Sequence, residues 1–66
     1  MSVSYNNLWK TLIDKDMQKK ELCKLADIST YTMGRLKRGE NVTVDTIEKI
    51  CKALQCDIHD VLEFKD

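Results

Sequence analysis

Apolar residues recur along the chain at three- and four-residue spacings, in separate stretches divided by short polar runs. Leu8 and Leu12, with Ile13 beside them, predict a first helix over residues 5–15. Lys10, Asp14 and Lys15 fall on its outer side, and Ser4 is placed to cap it. Leu22, Cys23 and Ala26 predict a second helix over 19–26, where Gln18 followed by Glu21 echoes a capping box. Asp27-Ile28-Ser29 then reads as a turn, because Asp tolerates a left-handed backbone and Ser is a strong N-cap. A third helix over 30–38 turns Met33 and Leu36 inward and leaves Thr30, Tyr31, Gly34, Arg35 and Arg38 outside. Gly39 ends it, after two basic residues that suit the negative end of a helix dipole. Thr43 caps a fourth helix reaching Leu54, with Val44, Ile47, Ile50, Cys51 and Leu54 on one stripe. Asp57 caps a short fifth helix that carries Asp60 in its first turn and points Ile58, Val61 and Leu62 inward. Residues 63–66 are expected to be a loose tail in which only Phe64 packs.

Composition agrees with a helical reading. The chain has no proline and two glycines, too little punctuation for a strand-rich fold. At 66 residues it makes a single domain, with a core over about 5–62. A chain of this size buries only about 60% of its unfolded surface. Four aromatics leave the filling of the interior to aliphatic residues, Met and Cys. No stretch resembles a secretory signal and no apolar run approaches the ~20 residues of a membrane span, so the expected location is cytoplasmic, away from any membrane. Cys23, Cys51 and Cys56 are an odd count without a tandem framework and are read as reduced.

The formal charge is zero, yet it is unevenly spread. Residues 10–38 carry eight basic against four acidic side chains, and residues 40–66 carry three against seven. Folding such halves together can present a basic face and an acidic back, which orients a molecule toward phosphate.

Two short helices joined by a three-residue turn, the second capped by Ser and polar on its outside, form an arrangement that fits a helix end into the roughly 12 Å major groove of duplex DNA. The run Lys19-Lys20-Glu21-Leu22-Cys23-Lys24-Leu25-Ala26-Asp27-Ile28-Ser29, followed by Leu36, Gly39, Ile47, Ile50, Ala53-Leu54 and the segment 57–62, resembles the Cro and phage-repressor (XRE-like) helix-turn-helix family. The resemblance covers residues 8–62 and implies an all-α, five-helix, lambda-repressor-like domain with its helix-turn-helix in helices 2 and 3. It further implies a sequence-specific regulator of transcription binding double-stranded DNA as a homodimer, a repressor by occlusion of the promoter or an activator by contact with polymerase. Carried over position by position, it puts base contacts at Thr30, Tyr31, Gly34 and Arg35, and phosphate contacts at Lys19, Ser29, Thr32, Arg38 and Asn41. Arg35 could pair bidentately with guanine, and the Thr30 methyl or the Tyr31 ring could meet a thymine methyl. The dimer interface is expected at the fifth helix and Phe64.

The sequence departs from the family where Asp27 replaces the usual turn glycine, Cys23 replaces Ala and Lys37 replaces Glu. Gly34 is an oddity of another kind, since a glycine inside an exposed helix costs about 0.8–1 kcal/mol relative to Ala. Either the helix is soft or its backbone approaches DNA closely there.

A different class of function, a protein-interaction module such as an antitoxin or partner subunit on the same scaffold, would use the acidic back and depend less on salt. Cys51, Cys56 and His59, with Cys23, contain soft metal ligands but no Cys-x-x-Cys unit, so a buried apolar role for the thiols is preferred to zinc. No glycine-rich phosphate loop or nucleophile motif is present, and an enzyme, a cofactor or a small-molecule ligand is not expected.

Overall fold

The computed structural model describes residues 2–65. In chain order the elements are β1 (Ser2–Ser4), α1 (Asn6–Asp14), α2 (Lys19–Ala26), α3 (Thr30–Lys37), α4 (Val44–Leu54), a single 3-10 turn (Ile58–Asp60) and β2 (Glu63–Lys65). Four α-helices therefore stand where five were expected, and the fold is not purely α. β1 and β2 form a two-stranded antiparallel sheet with Ser2 opposite Lys65, Val3 opposite Phe64 and Ser4 opposite Glu63. The expected loose tail is thus paired with the other end of the chain as far as Lys65; Asp66 lies outside the described residues.

The fifth helix is short for a visible reason. Asp57 and Asp60 do form the expected capping box, but it closes a single turn. The Ile58 carbonyl accepts from both Val61 and Leu62, after which the chain extends into β2. That turn is fastened to α1 by two polar side chains. Asn7 Nδ2 donates to the His59 carbonyl at 2.9 Å, and the Thr11 hydroxyl donates to the Asp60 carbonyl at 2.8 Å.

The core is built from Tyr5, Leu8, Leu12, Leu22, Ala26, Met33, Leu36, Ile47, Ile50, Leu54 and Val61. No polar or charged residue is buried among the described residues, as expected of a small domain that relies on apolar burial. Three positions assigned inward from periodicity are exposed instead: Ile13, Val44 and Ile58. Ile13 and Val44 sit at the edges of their stripes, one at the end of α1 and one at the first residue of α4. Phe64 is likewise exposed, at 68%, rather than packed.

The helix ends follow from local chemistry. Ser29 Oγ accepts from the Thr32 amide at 3.1 Å, and Thr43 Oγ1 accepts from the Thr46 amide at 3.1 Å, each satisfying a donor that the helix itself cannot. Gln18 and Glu21 complete a capping box on α2. Asp27 takes the left-handed backbone (φ 56°, ψ 50°) that turns α2 into α3. At α1 the expectation shifts by one residue: Tyr5 holds the N-cap position without a side-chain cap, and the Ser4 hydroxyl accepts from the Asn6 amide at 3.3 Å.

Candidate nucleic-acid interface

The turn after α2 holds α3 with one face on the core through Met33 and Leu36 and the other toward solvent. On the open side Thr30 and Tyr31 are exposed, Thr32, Gly34 and Arg35 half-buried, and Arg38 exposed at the C-cap. Tyr31, Thr32, Arg35 and Asn41 line one shallow groove together with Val42, Thr43 and Thr46 from the loop and the start of α4. The structure thus unites four of the nine predicted contact residues in one concavity. Ser29 stands at the start of this face as the cap of α3, its hydroxyl also donating to Thr32 Oγ1 at 3.1 Å. Lys19 lies apart, at the first position of α2, beside Trp9, Met17 and Lys20. Its ammonium sits 4.9 Å from the centre of the Trp9 ring, a cation–π contact that limits its wandering.

Arg35 is already engaged. Its Nε donates to the Asn41 carbonyl at 3.0 Å and its Nη1 to the Tyr31 hydroxyl at 3.3 Å, while its guanidinium lies 5.9 Å from the Tyr31 ring centre. The residues one turn apart on α3 therefore brace one another across the groove. Arg38 Nε donates to Glu40 Oε2 at 2.7 Å. The Arg38 hydrogen bond holds the Glu40 carboxyl below the usual carboxylate range, and Glu40 in turn raises the Arg38 guanidinium. Both groups are charged at neutral pH, the arginine side chain 56% exposed.

Gly34 faces Arg38. A β-carbon built there would come 3.2 Å from Arg38 Nη1, and its three nearest neighbours outside the helix backbone all belong to the Arg38 guanidinium. The space above this glycine is thus occupied by the tip of the long, exposed Arg38 side chain.

Sequence reasoning missed Glu40, Thr46 and Trp9 as members of the site and gave Thr43 only a capping role. Thr43 and Thr46 carried a signal, since hydroxyls three residues apart at a helix start share one side. The Trp9–Lys19 and Arg38–Glu40 pairs had none, because they depend on tertiary packing and on the path of a turn.

The cysteines do not extend the site. Burial raises the Cys51 and Cys56 thiols, which opposes the thiolate that metal binding needs. Among the described residues no group of three or more His, Cys, Asp or Glu is arranged to hold a metal ion. No helix of the described residues is long and apolar enough to cross a membrane.

No curated protein matches the chain in sequence. Among solved structures, the crystal structure of the transcriptional regulator VanUg (Form II) is similar, with 45% sequence identity, a TM-score of 0.91, and coverage of 94% of this chain and 83% of that one. The family described as the Cro/C1-type HTH DNA-binding domain matches residues 7–66. The chain therefore belongs to the Cro/C1-type helix-turn-helix DNA-binding domain family.

Proposed function

We propose that this chain is a single-domain transcriptional regulator, a repressor, that inserts α3 into the major groove of duplex DNA. Thr30, Tyr31 and Arg35 read base edges, and once Arg38 swings to a phosphate the absence of a side chain at Gly34 lets the helix come close. Lys19, Ser29, Thr32, Arg38 and Asn41 hold the sugar-phosphate backbone on either side. The observation that carries this reading is the groove where Tyr31, Thr32, Arg35 and Asn41 meet on the open side of a capped, core-anchored α3. A helix held this way presents its first two turns to base edges while its cap and following loop reach phosphate. Similarity to a transcriptional regulator supports the regulatory role.

One such helix makes a thin contact, so the chain acts as a homodimer on an inverted repeat with half-sites about 34 Å apart. Exposed Ile58 and Phe64, in the 3-10 turn and β2, are the apolar candidates for the dimer contact. Repression follows from occlusion of a promoter by the bound dimer.

The reading is tested with two duplexes, one enriched from a random library by the wild-type protein and one scrambled. Arg35→Ala lowers affinity for the enriched duplex by the ~1–3 kcal/mol of a bidentate base contact and relaxes preference at one position. Lys19→Ala weakens both duplexes about equally. Unchanged affinities in both variants would show that α3 and the start of α2 are not the contact face.

A further inference from the structure

The C-terminal end of α3 carries an acidic group between the two arginines assigned to DNA, Arg35 and Arg38. Gly39, at φ 73°, reverses the chain. Its amide donates to the Leu36 carbonyl at 3.1 Å, and the Glu40 amide donates to the Arg35 carbonyl at 2.9 Å, the paired bonds of a Schellman motif. In that motif the two outermost residues come side by side and commonly make an apolar contact. Here they are Arg35 and Glu40. The buried Tyr5 donates its hydroxyl to the Glu40 carbonyl at 2.8 Å. Both backbone polar groups of Glu40 are therefore pinned, and its side chain projects from a fixed post. Its carboxylate accepts from Arg38 at 2.7 Å and lies 3.9 Å from Arg35 Nε. Among the ion pairs of the described residues, Glu40 alone serves two cations.

We infer that Glu40 is a specificity-determining residue, which hydrogen-bonds the Arg38 guanidinium and lies against that of Arg35 in the free protein, and which must be displaced by DNA. The inference rests on the reading of α3 as the DNA-reading helix. A carboxylate matches the charge and the two-oxygen geometry that a phosphate offers to arginine. Any sequence supplies Arg38 with a phosphate in exchange. Arg35 is compensated only where a base edge offers two acceptors, as guanine O6 and N7 do. On other sequences the carboxylate stays beside Arg35 and repels the adjacent phosphates. The penalty falls hardest on the wrong sequences, which is how a repulsive group sharpens discrimination. The pairs are solvent-exposed, with side chains 37–56% accessible, so a matching site displaces the carboxylate at small cost.

The test compares wild type, Glu40→Gln, Glu40→Ala and Glu48→Gln on a random-sequence duplex and on a duplex enriched by the wild-type protein. Glu48 pairs with Lys52 and touches neither arginine, so its variant controls for net charge. Both Glu40 variants should bind the random duplex about two- to fivefold more tightly, with a smaller gain on the enriched one. Their log-log salt slope on random DNA should steepen by about 0.9, one freed cation meeting one phosphate. Unaltered random-duplex affinity, equal gains on both duplexes, or the same gain in Glu48→Gln would each overturn the inference while leaving DNA binding by α3 intact. Failure of the wild-type protein to enrich any duplex would instead overturn the reading of α3 itself.

Discussion

Replacing Gly34 by Ala separates what α3 needs to fold from what it needs to bind. In a helix interior the exchange is worth about 0.8–1 kcal/mol in favour of Ala. The added β-carbon would lie 3.2 Å from Arg38 Nη1 and 3.9 Å from Cζ and Nη2. The arginine tip must move by a few tenths of an ångström. It can, because the side chain is 56% exposed and anchored only by Glu40. Some of the helix gain is lost in loosening that exposed pair, which leaves a net stabilisation of about 0.3–0.8 kcal/mol. For a domain of this size that is a rise in Tm of roughly 1–6 °C, readable by circular dichroism at 222 nm. The same variant should bind DNA less tightly, because a methyl group would stand where backbone approaches the groove. An unchanged or lowered Tm would refute the packing argument, and undiminished DNA affinity would refute the close approach.

Two further substitutions probe the frame behind the site. Tyr5→Phe removes the hydroxyl that donates to the Glu40 carbonyl, and should cost about 0.5–1.5 kcal/mol in chemical denaturation at pH 7. Burial raises the Tyr5 phenol above its ordinary 10.0, the Val42 amide and Arg35 opposing it. Since the folded value is the higher, this stabilisation is complete below pH 10 and lost as pH climbs through the folded value. The wild-type protein should therefore lose more stability than Tyr5→Phe above pH 10, and parallel curves would contradict this. Ser29→Ala deletes the cap bond to Thr32 and should lower stability by about 1 kcal/mol, with a null effect showing that the cap is idle.

The parts of this molecule legible in the sequence are those whose causes are local. Ser29 and Thr43 cap because a short hydroxyl reaches an amide three residues on, and Gly39 and Asp27 turn because they tolerate positive φ. Leu22, Met33, Leu36, Ile47 and Ile50 are buried as their spacing predicts. What was hidden is non-local. Three-residue strands such as Ser2–Ser4 and Glu63–Lys65 carry no readable period, and each needs a partner from the other end of the chain. Val44 and Ile13 fit an apolar stripe, but an element that stops or starts at such a residue has nothing to pack beyond it. For the site, the types of residue on α3 were legible. The Tyr31–Arg35 pair follows from their four-residue spacing on α3, whereas the bracing of Arg35 by Asn41 and the position of Glu40 were hidden, because they follow from the path of the loop after Gly39.

The central claim, that the face of α3 with Lys19 and the loop after Gly39 binds duplex DNA through its phosphates, is tested most directly by a salt titration. Affinity for a labelled enriched duplex is followed by fluorescence anisotropy between about 50 and 200 mM salt. Two cationic phosphate contacts per chain, Lys19 and Arg38, make four in the dimer and predict a log-log slope of about −3.6. A slope near zero, with enriched and scrambled duplexes bound alike, would contradict the account and favour a scaffold that grips another protein.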